Sequence, residues 1–213
     1  LIEIYEQHIR AINDLEEMAM LYYEVGSIYE TYMGDVDKAT TYYLRVLDAD
    51  QFYQPALSSL GKIYESVGNW PKCIEMRERE AKVANEPERL VEVYFSIGKI
   101  YEERLVQIDR AKESYRKALE IQPNYLPALR ALKVIHFLQR DWEGVIRLAH
   151  MQEQFTETPE EKAILFCEIG KISRERLSNM PNAIQSYAQA LHLVPGYLNA
   201  AKPLAELYME AKR

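Results

Sequence analysis

Apolar residues recur along the whole chain at spacings of three and four, the period of amphipathic helices packed on one face. The pattern predicts helices over 2–13, 17–33, 36–48, 54–67, 70–84, 88–105, 108–121, 126–139, 142–155, 160–177, 180–193 and 197–211. No Gly-, Ser- or Pro-rich linker interrupts it, so one all-α body without a domain boundary is expected.

The pattern repeats. Shifted by 72 residues, Gly26 falls on Gly98 and Gly170, Ala39 and Tyr43 on Ala111 and Tyr115 and on Ala183 and Tyr187, Trp70 on Trp142, and Pro123 on Pro195. Each unit is itself double, because Gly26 to Gly61 is 35 residues and Gly61 to Gly98 is 37. Around each of these glycines one helix face carries the same set, as in Tyr22, Val25, Gly26, Tyr29 and in Tyr94, Ile97, Gly98, Tyr101. A second helix follows with Ala, aromatic, Ala and Pro, as in Ala111, Tyr115, Ala118, Pro123. Gly and Ala mark where paired helices cross closely, while aromatics fill the space between successive pairs.

These motifs resemble the tetratricopeptide repeat, a helix-turn-helix whose marker residues stand in this order. The resemblance covers the whole chain. Departures are a one-residue insertion between helices in MGDVDKA, VQIDRAK and NMPNAIQ, Lys133 for the glycine, His136 and Ser173 for the tyrosine, and Arg77 for the second-helix aromatic. The resemblance implies a single right-handed superhelical α-solenoid over 1–213: a second helix of a truncated repeat (1–15), repeats 18–52, 53–87, 88–125, 126–159 and 160–197, and a first helix of a truncated repeat (198–213). No polar caps are evident and the chain opens on Leu1 inside an amphipathic pattern, so a piece of a longer array is expected.

In the family, first helices line a concave, peptide-binding groove. By phase the lining here is Tyr23, Ser27, Ser58, Lys62, Phe95, Lys99, Arg130, Val134, Cys167, Lys171 and Lys202. Five of these eleven are basic, which suits an acidic or carboxylate-bearing segment, with Tyr23 and Phe95 as apolar anchors and Ser58 in open space. Against this, Glu65 and Glu102 stand three residues beyond Lys62 and Lys99 and are placed to neutralise them. The place one residue after the glycine holds no Asn, so the carboxylate clamp of chaperone-binding relatives is not expected.

Composition narrows the rest. The 213 residues carry a net charge of −7 with 48% apolar and 28% charged residues, enough for a folded core and against disorder. No basic run offers a track for nucleic acid, since Arg77 and Arg79 alternate with Glu78 and Glu80 on what reads as a solvated face. The longest stretch without Asp, Glu, Lys or Arg, 177–201, holds too many polar residues to enter a membrane, and no signal peptide is visible.

Twelve of the sixteen tyrosines, Tyr208 among them, occupy four repeat positions and read as packing residues. His8, His150 and His192 share phase with glutamates and read as surface residues; His136 reads as a core histidine with one satisfied ring nitrogen. Cys73 and Cys167 lie more than two repeats apart, so they are expected reduced, which fits the cytoplasm and equally a disulfide-free periplasmic location. No metal-ligand spacing, phosphate loop or catalytic triad appears, so no cofactor and no enzymatic activity are expected. A scaffold for a partner protein or extended peptide is the leading function. The alternatives are an oligomerisation module using the array ends or Tyr-rich surface, and a spacer beside a missing enzymatic domain.

Overall fold

The computed structural model describes residues 1–211, and among these it contains twelve α-helices and no strand. The chain divides into two compact units, Leu1–Ile121 and Gln122–Arg213. The first holds α1 (Ile2–Ala11), α2 (Leu15–Ile28), α3 (Val36–Ala49), α4 (Gln54–Ser66), α5 (Trp70–Val83), α6 (Pro87–Lys99) and α7 (Ile108–Ile121). The second holds α8 (Leu126–Leu138), α9 (Trp142–Gln154), α10 (Pro159–Glu175), α11 (Met180–Leu193) and α12 (Leu198–Ala211). In the first unit the hairpins α2–α3, α4–α5 and α6–α7 stack in chain order, and in the second α8–α9, α10–α11 and α12 do the same. Each unit is thus an α-solenoid stack. Residues 212 and 213 of the expected last helix lie outside the described residues.

Helix starts follow from local chemistry. Asp35, Asn69, Asp141 and Asn179 cap α3, α5, α9 and α11 by accepting the free N–H groups of Lys38, Lys72, Gly144 and Asn182. Pro55, Pro71, Pro87, Pro127, Pro159 and Pro181 sit in first turns, where the missing N–H costs nothing.

The one-residue insertions are absorbed at the ends of first helices. In every hairpin the carbonyl in the tyrosine slot accepts from the residue that opens the next helix: Asn69 to Tyr64 at 2.8 Å and Asp141 to His136 at 2.9 Å, five residues apart. Where a residue is inserted the same link spans six, from Asp35 to Tyr29, Gln107 to Tyr101 and Asn179 to Ser173. The slack is taken up by π-helical turns at Tyr29–Met33 and Ile100–Arg104, and by a Leu177 to Ile172 bond after α10. All five turns contain one left-handed residue: Gly34, Gly68, Val106, Arg140 and Ser178, with φ of 65°, 71°, 53°, 58° and 51°.

Val106 is β-branched and pays a steric cost in that region. Relief of about 1 to 2 kcal/mol of strain outweighs the greater unfolded-state freedom of glycine, so Val106→Gly should stabilise by about 0.5 to 1 kcal/mol. A higher denaturant midpoint with an unchanged slope would show this; an unchanged or lower midpoint would contradict it.

The core alternates small and aromatic residues as the repeat requires. Tyr43, Tyr115 and Tyr187 are buried against Gly26, Gly98 and Gly170 of the preceding helix, and Ala39, Ala111 and Ala183 are fully buried beside them. Tyr208 departs from the expectation: it is half exposed, because α12 packs on α11 through Ala200 and Leu207 instead. Ala149 stands in the phase of those ring positions, opposite Lys133, so the hairpin lacking its glycine also lacks its ring.

Burial pushes Tyr42 and Tyr187 up to about 12, with the Glu6 hydrogen bond adding to the effect at Tyr42. Burial, then the carboxylates of Glu30 and Glu102, push Tyr43 and Tyr115 up as well. A phenol whose folded pKa exceeds its unfolded value of about 10 contributes stability below that value and loses it as pH rises through the folded one. The melting temperature should therefore hold to about pH 10 and fall steeply between about 10 and 12; a flat profile across that window would contradict the buried-ring assignment.

Candidate functional site

The lining residues fall on first helices, and their surroundings differ between the units. In the first unit Tyr23 packs on Tyr43 and Tyr53 with ring centroids 5.4 and 5.6 Å apart, and Phe95 on Tyr115 at 5.5 Å. Both are half-buried, so only part of each ring is left for a ligand. Ser58 is not in open space: its hydroxyl accepts from Arg89 at 3.1 Å, so the turn of α4 on which it sits is tied to α6. Ser27 is half-buried on α2.

The expected neutralisation of the lysines is not what the structure shows. Glu65 turns to Arg77 at 3.2 Å and Glu102 accepts from the Tyr115 hydroxyl at 2.6 Å, because the acid after each tyrosine slot serves the second helix of its own hairpin. Lys99 pairs instead with Glu103 at 3.5 Å, and Lys62 is exposed with no carboxylate within 4 Å among the described residues. Phe95 and Lys99 share a cavity of about 220 Å³ with Trp70 and Glu103.

Arg77 and Glu80, expected on a solvated face, are instead buried. Glu80 has no exposed surface; Arg89 reaches it across the helix boundary and Arg77 stands 3.7 Å from it. One Glu80 oxygen and the Arg77 Nε have no hydrogen-bond partner. The signal lies outside the local pattern, since the partner that makes burial possible is on the next helix.

In the second unit Arg130 and Val134 are exposed on α8. Cys167 and Lys171 of α10 and Lys202 of α12 are brought together around one cavity of about 600 Å³, with Tyr187 of α11 also on its wall. Lys171 and Lys202 have no carboxylate within 4 Å among the described residues. Arg174, at the same cavity, is held by Glu206 at 2.8 Å and Glu210 at 2.7 Å. Phase alone did not flag Arg174, Tyr187 or Asn199 as lining, yet Arg174 occupies the position of Glu30 and Glu102, a readable departure that frees Tyr187 of a carboxylate. Burial pushes the Cys167 thiol up to about 11, so it is neutral at ordinary pH.

Both cysteines are free, and His136 is buried with Nδ1 2.7 Å from Asp141. The Gly144 N–H, then the His136 contact, lower the Asp141 carboxyl below its ordinary value. Among the described residues no three His, Cys, Asp or Glu side chains cluster to hold a metal, and no helix is long and apolar enough to cross a membrane.

Models of the tetratricopeptide repeat match residues 19–53, 56–91 and 91–125. The chain belongs to the tetratricopeptide-repeat family. Repeats of this kind mediate protein-protein interaction. Solved structures resemble the chain in fold: YrrB, described as a TPR protein with an unusual peptide-binding site, aligns at TM-score 0.55 and 16% identity over 95% of this chain and 98% of that one. MamA aligns at TM-score 0.54 and 20% identity over 84% and 92%. Pseudomonas aeruginosa pilF aligns at 0.51 and 16% over 96% and 95%. At these identities the likeness is one of fold. No curated protein matches the chain by sequence.

Proposed function

We propose that this tetratricopeptide chain is a non-enzymatic scaffold that holds an acidic, extended peptide segment of a partner protein against its first helices. The observation that carries the reading is the second-unit cavity, where Lys171 and Lys202 from successive first helices share one wall space and neither stands within 4 Å of a carboxylate among the described residues. Glu168, Glu175 and Glu206 lie on the same wall, but Glu168 is taken by Lys133 and Glu206 by Arg174. That leaves Glu175 as the one wall carboxylate outside an ion pair, among the described residues, against two such ammonium groups that can pair with a ligand. The half-exposed thiol of Cys167 and the edge of Tyr187 supply apolar contact beside the charges.

A glutamate-rich peptide with interspersed leucines is the probe, and its lysine counterpart the control. Affinity should fall as salt rises, because exposed charges are screened over about 8 Å at 0.15 M. Lys171→Glu with Lys202→Glu should weaken binding by at least about tenfold, equivalent to about 1.4 kcal/mol, with little change in stability because both side chains are exposed. Salt-insensitive binding that survives both reversals would discard the groove reading.

A further inference from the structure

The 72-residue repeat places one arrangement at two hairpin turns, the first of them beside Phe95 and Lys99. Trp70 and Trp142 are 72 residues apart, and each carries a guanidinium over its ring at 5.2 Å, from Arg104 and Arg176, which are also 72 apart. The same Trp–Arg stack is therefore built twice at the hairpin turns, once in each unit. Around the first, the fold uses Glu65, Ser66 and Gly68; at the matching positions around the second stand Phe137, Leu138 and Arg140.

Each of the three changes runs against the fold's own preference. Phe137 and Leu138 are 49% and 73% exposed where Glu65 and Ser66 meet water at no cost. Arg140 occupies a left-handed position, φ 58°, that Gly68 fills without strain at φ 71°. Phe137 stands edge-on to Trp142 at 5.3 Å, and with Leu138, Arg140 and Arg176 it lines a cavity of about 520 Å³. The only carboxylate on that wall is Glu175, and neither arginine has an ion pair among the described residues. An apolar floor with two guanidinium groups against one carboxylate complements a segment that joins a bulky apolar side chain to acidic ones.

We propose that the α8–α9 turn, with the end of α10, is a second docking site, taking a short peptide in which an aromatic or leucine side chain is flanked by Asp or Glu. The apolar side chain enters against Phe137 and Leu138, and its flanking carboxylates pair with Arg140 and Arg176. The site adjoins the lysine-lined cavity, with Glu175 on the wall of both, but none of Phe137, Leu138, Arg140 or Trp142 lines that cavity, so the two can be altered separately.

The test gives the second turn the residues of the first: Phe137→Glu, Leu138→Ser and Arg140→Gly in one variant. A displayed random-peptide library is selected on the whole chain, and enriched peptides are titrated against three proteins: the parent, this variant, and Lys171→Glu with Lys202→Glu. Enriched peptides carrying an apolar residue beside acidic ones are expected. They should bind the triple variant at least about tenfold more weakly and the lysine variant as tightly as the parent. The triple variant should melt no lower than the parent, because Arg140→Gly relieves the left-handed residue. Three results would overturn the proposal: no peptide of this pattern is enriched, the enriched peptides bind the triple variant unchanged, or the chain self-associates through this turn, which would make a second copy its occupant.

Discussion

Gly98→Ala should lower stability by about 2 kcal/mol, while Gly61→Ala should raise it by about 0.5 to 1 kcal/mol, although both glycines occupy the same slot of the repeat. A Cβ on Gly98 would stand 2.5 Å from Cε1 of Tyr115, a rigid ring that is itself fully buried and tied to Glu102. The ring has to move, and its hydrogen bond with it. At Gly61 the residue opposite is Arg77, whose Nε lies 3.6 Å from the same ideal Cβ, an ordinary contact. There the substitution adds only the helix propensity of alanine, worth close to 1 kcal/mol over glycine. Urea melts of the two variants measure this directly; equal shifts of the same sign would show that the ring does not set the requirement for glycine.

Glu80→Ala should be the most damaging single change, costing about 3 to 5 kcal/mol, because it leaves Arg77 buried and Arg89 without its partner across the α5–α6 boundary. The other hairpins of the chain suggest the rescue. Tyr115 with Ala118, and Tyr187 with Ala190, occupy the positions of Arg77 with Glu80. Arg77→Tyr combined with Glu80→Ala restores that pair opposite Gly61, and the double variant should recover parent stability or exceed it, since apolar replacement of a buried ion pair is often neutral or favourable. Additive losses in a denaturation cycle would contradict this account of the site.

The repeat period made the helices legible because each hairpin buries the same face, so Gly98 and Tyr115, or Gly170 and Tyr187, could be matched without coordinates. The turns were legible only in length: a one-residue insertion is visible in the sequence, but its storage as a π-helical turn after α2 and α6 depends on keeping the link from the tyrosine-slot carbonyl to the next helix. The phase argument placed Cys167, Lys171 and Lys202 among the lining residues, and the structure gathers these three around one cavity. It failed where side chains choose partners. Glu65 and Glu102 are as near in sequence to Lys62 and Lys99 as the spacing rule requires, yet they turn to Arg77 and Tyr115, because a partner buried from water holds a carboxylate better than an exposed lysine does. Glu80 read as solvated for the same reason: nothing near it in sequence announces that Arg89 closes over it from the next helix.

Isotope-labelled amide shifts, recorded as the glutamate-rich peptide is titrated into the chain, test most directly whether the first helices carry the interaction. Perturbations concentrated on α10 and α12 around Cys167, Lys171 and Lys202, and absent in the Lys171→Glu, Lys202→Glu variant, are the predicted result. Shifts confined to the second helices α9 and α11, or unchanged by the two reversals, would contradict it.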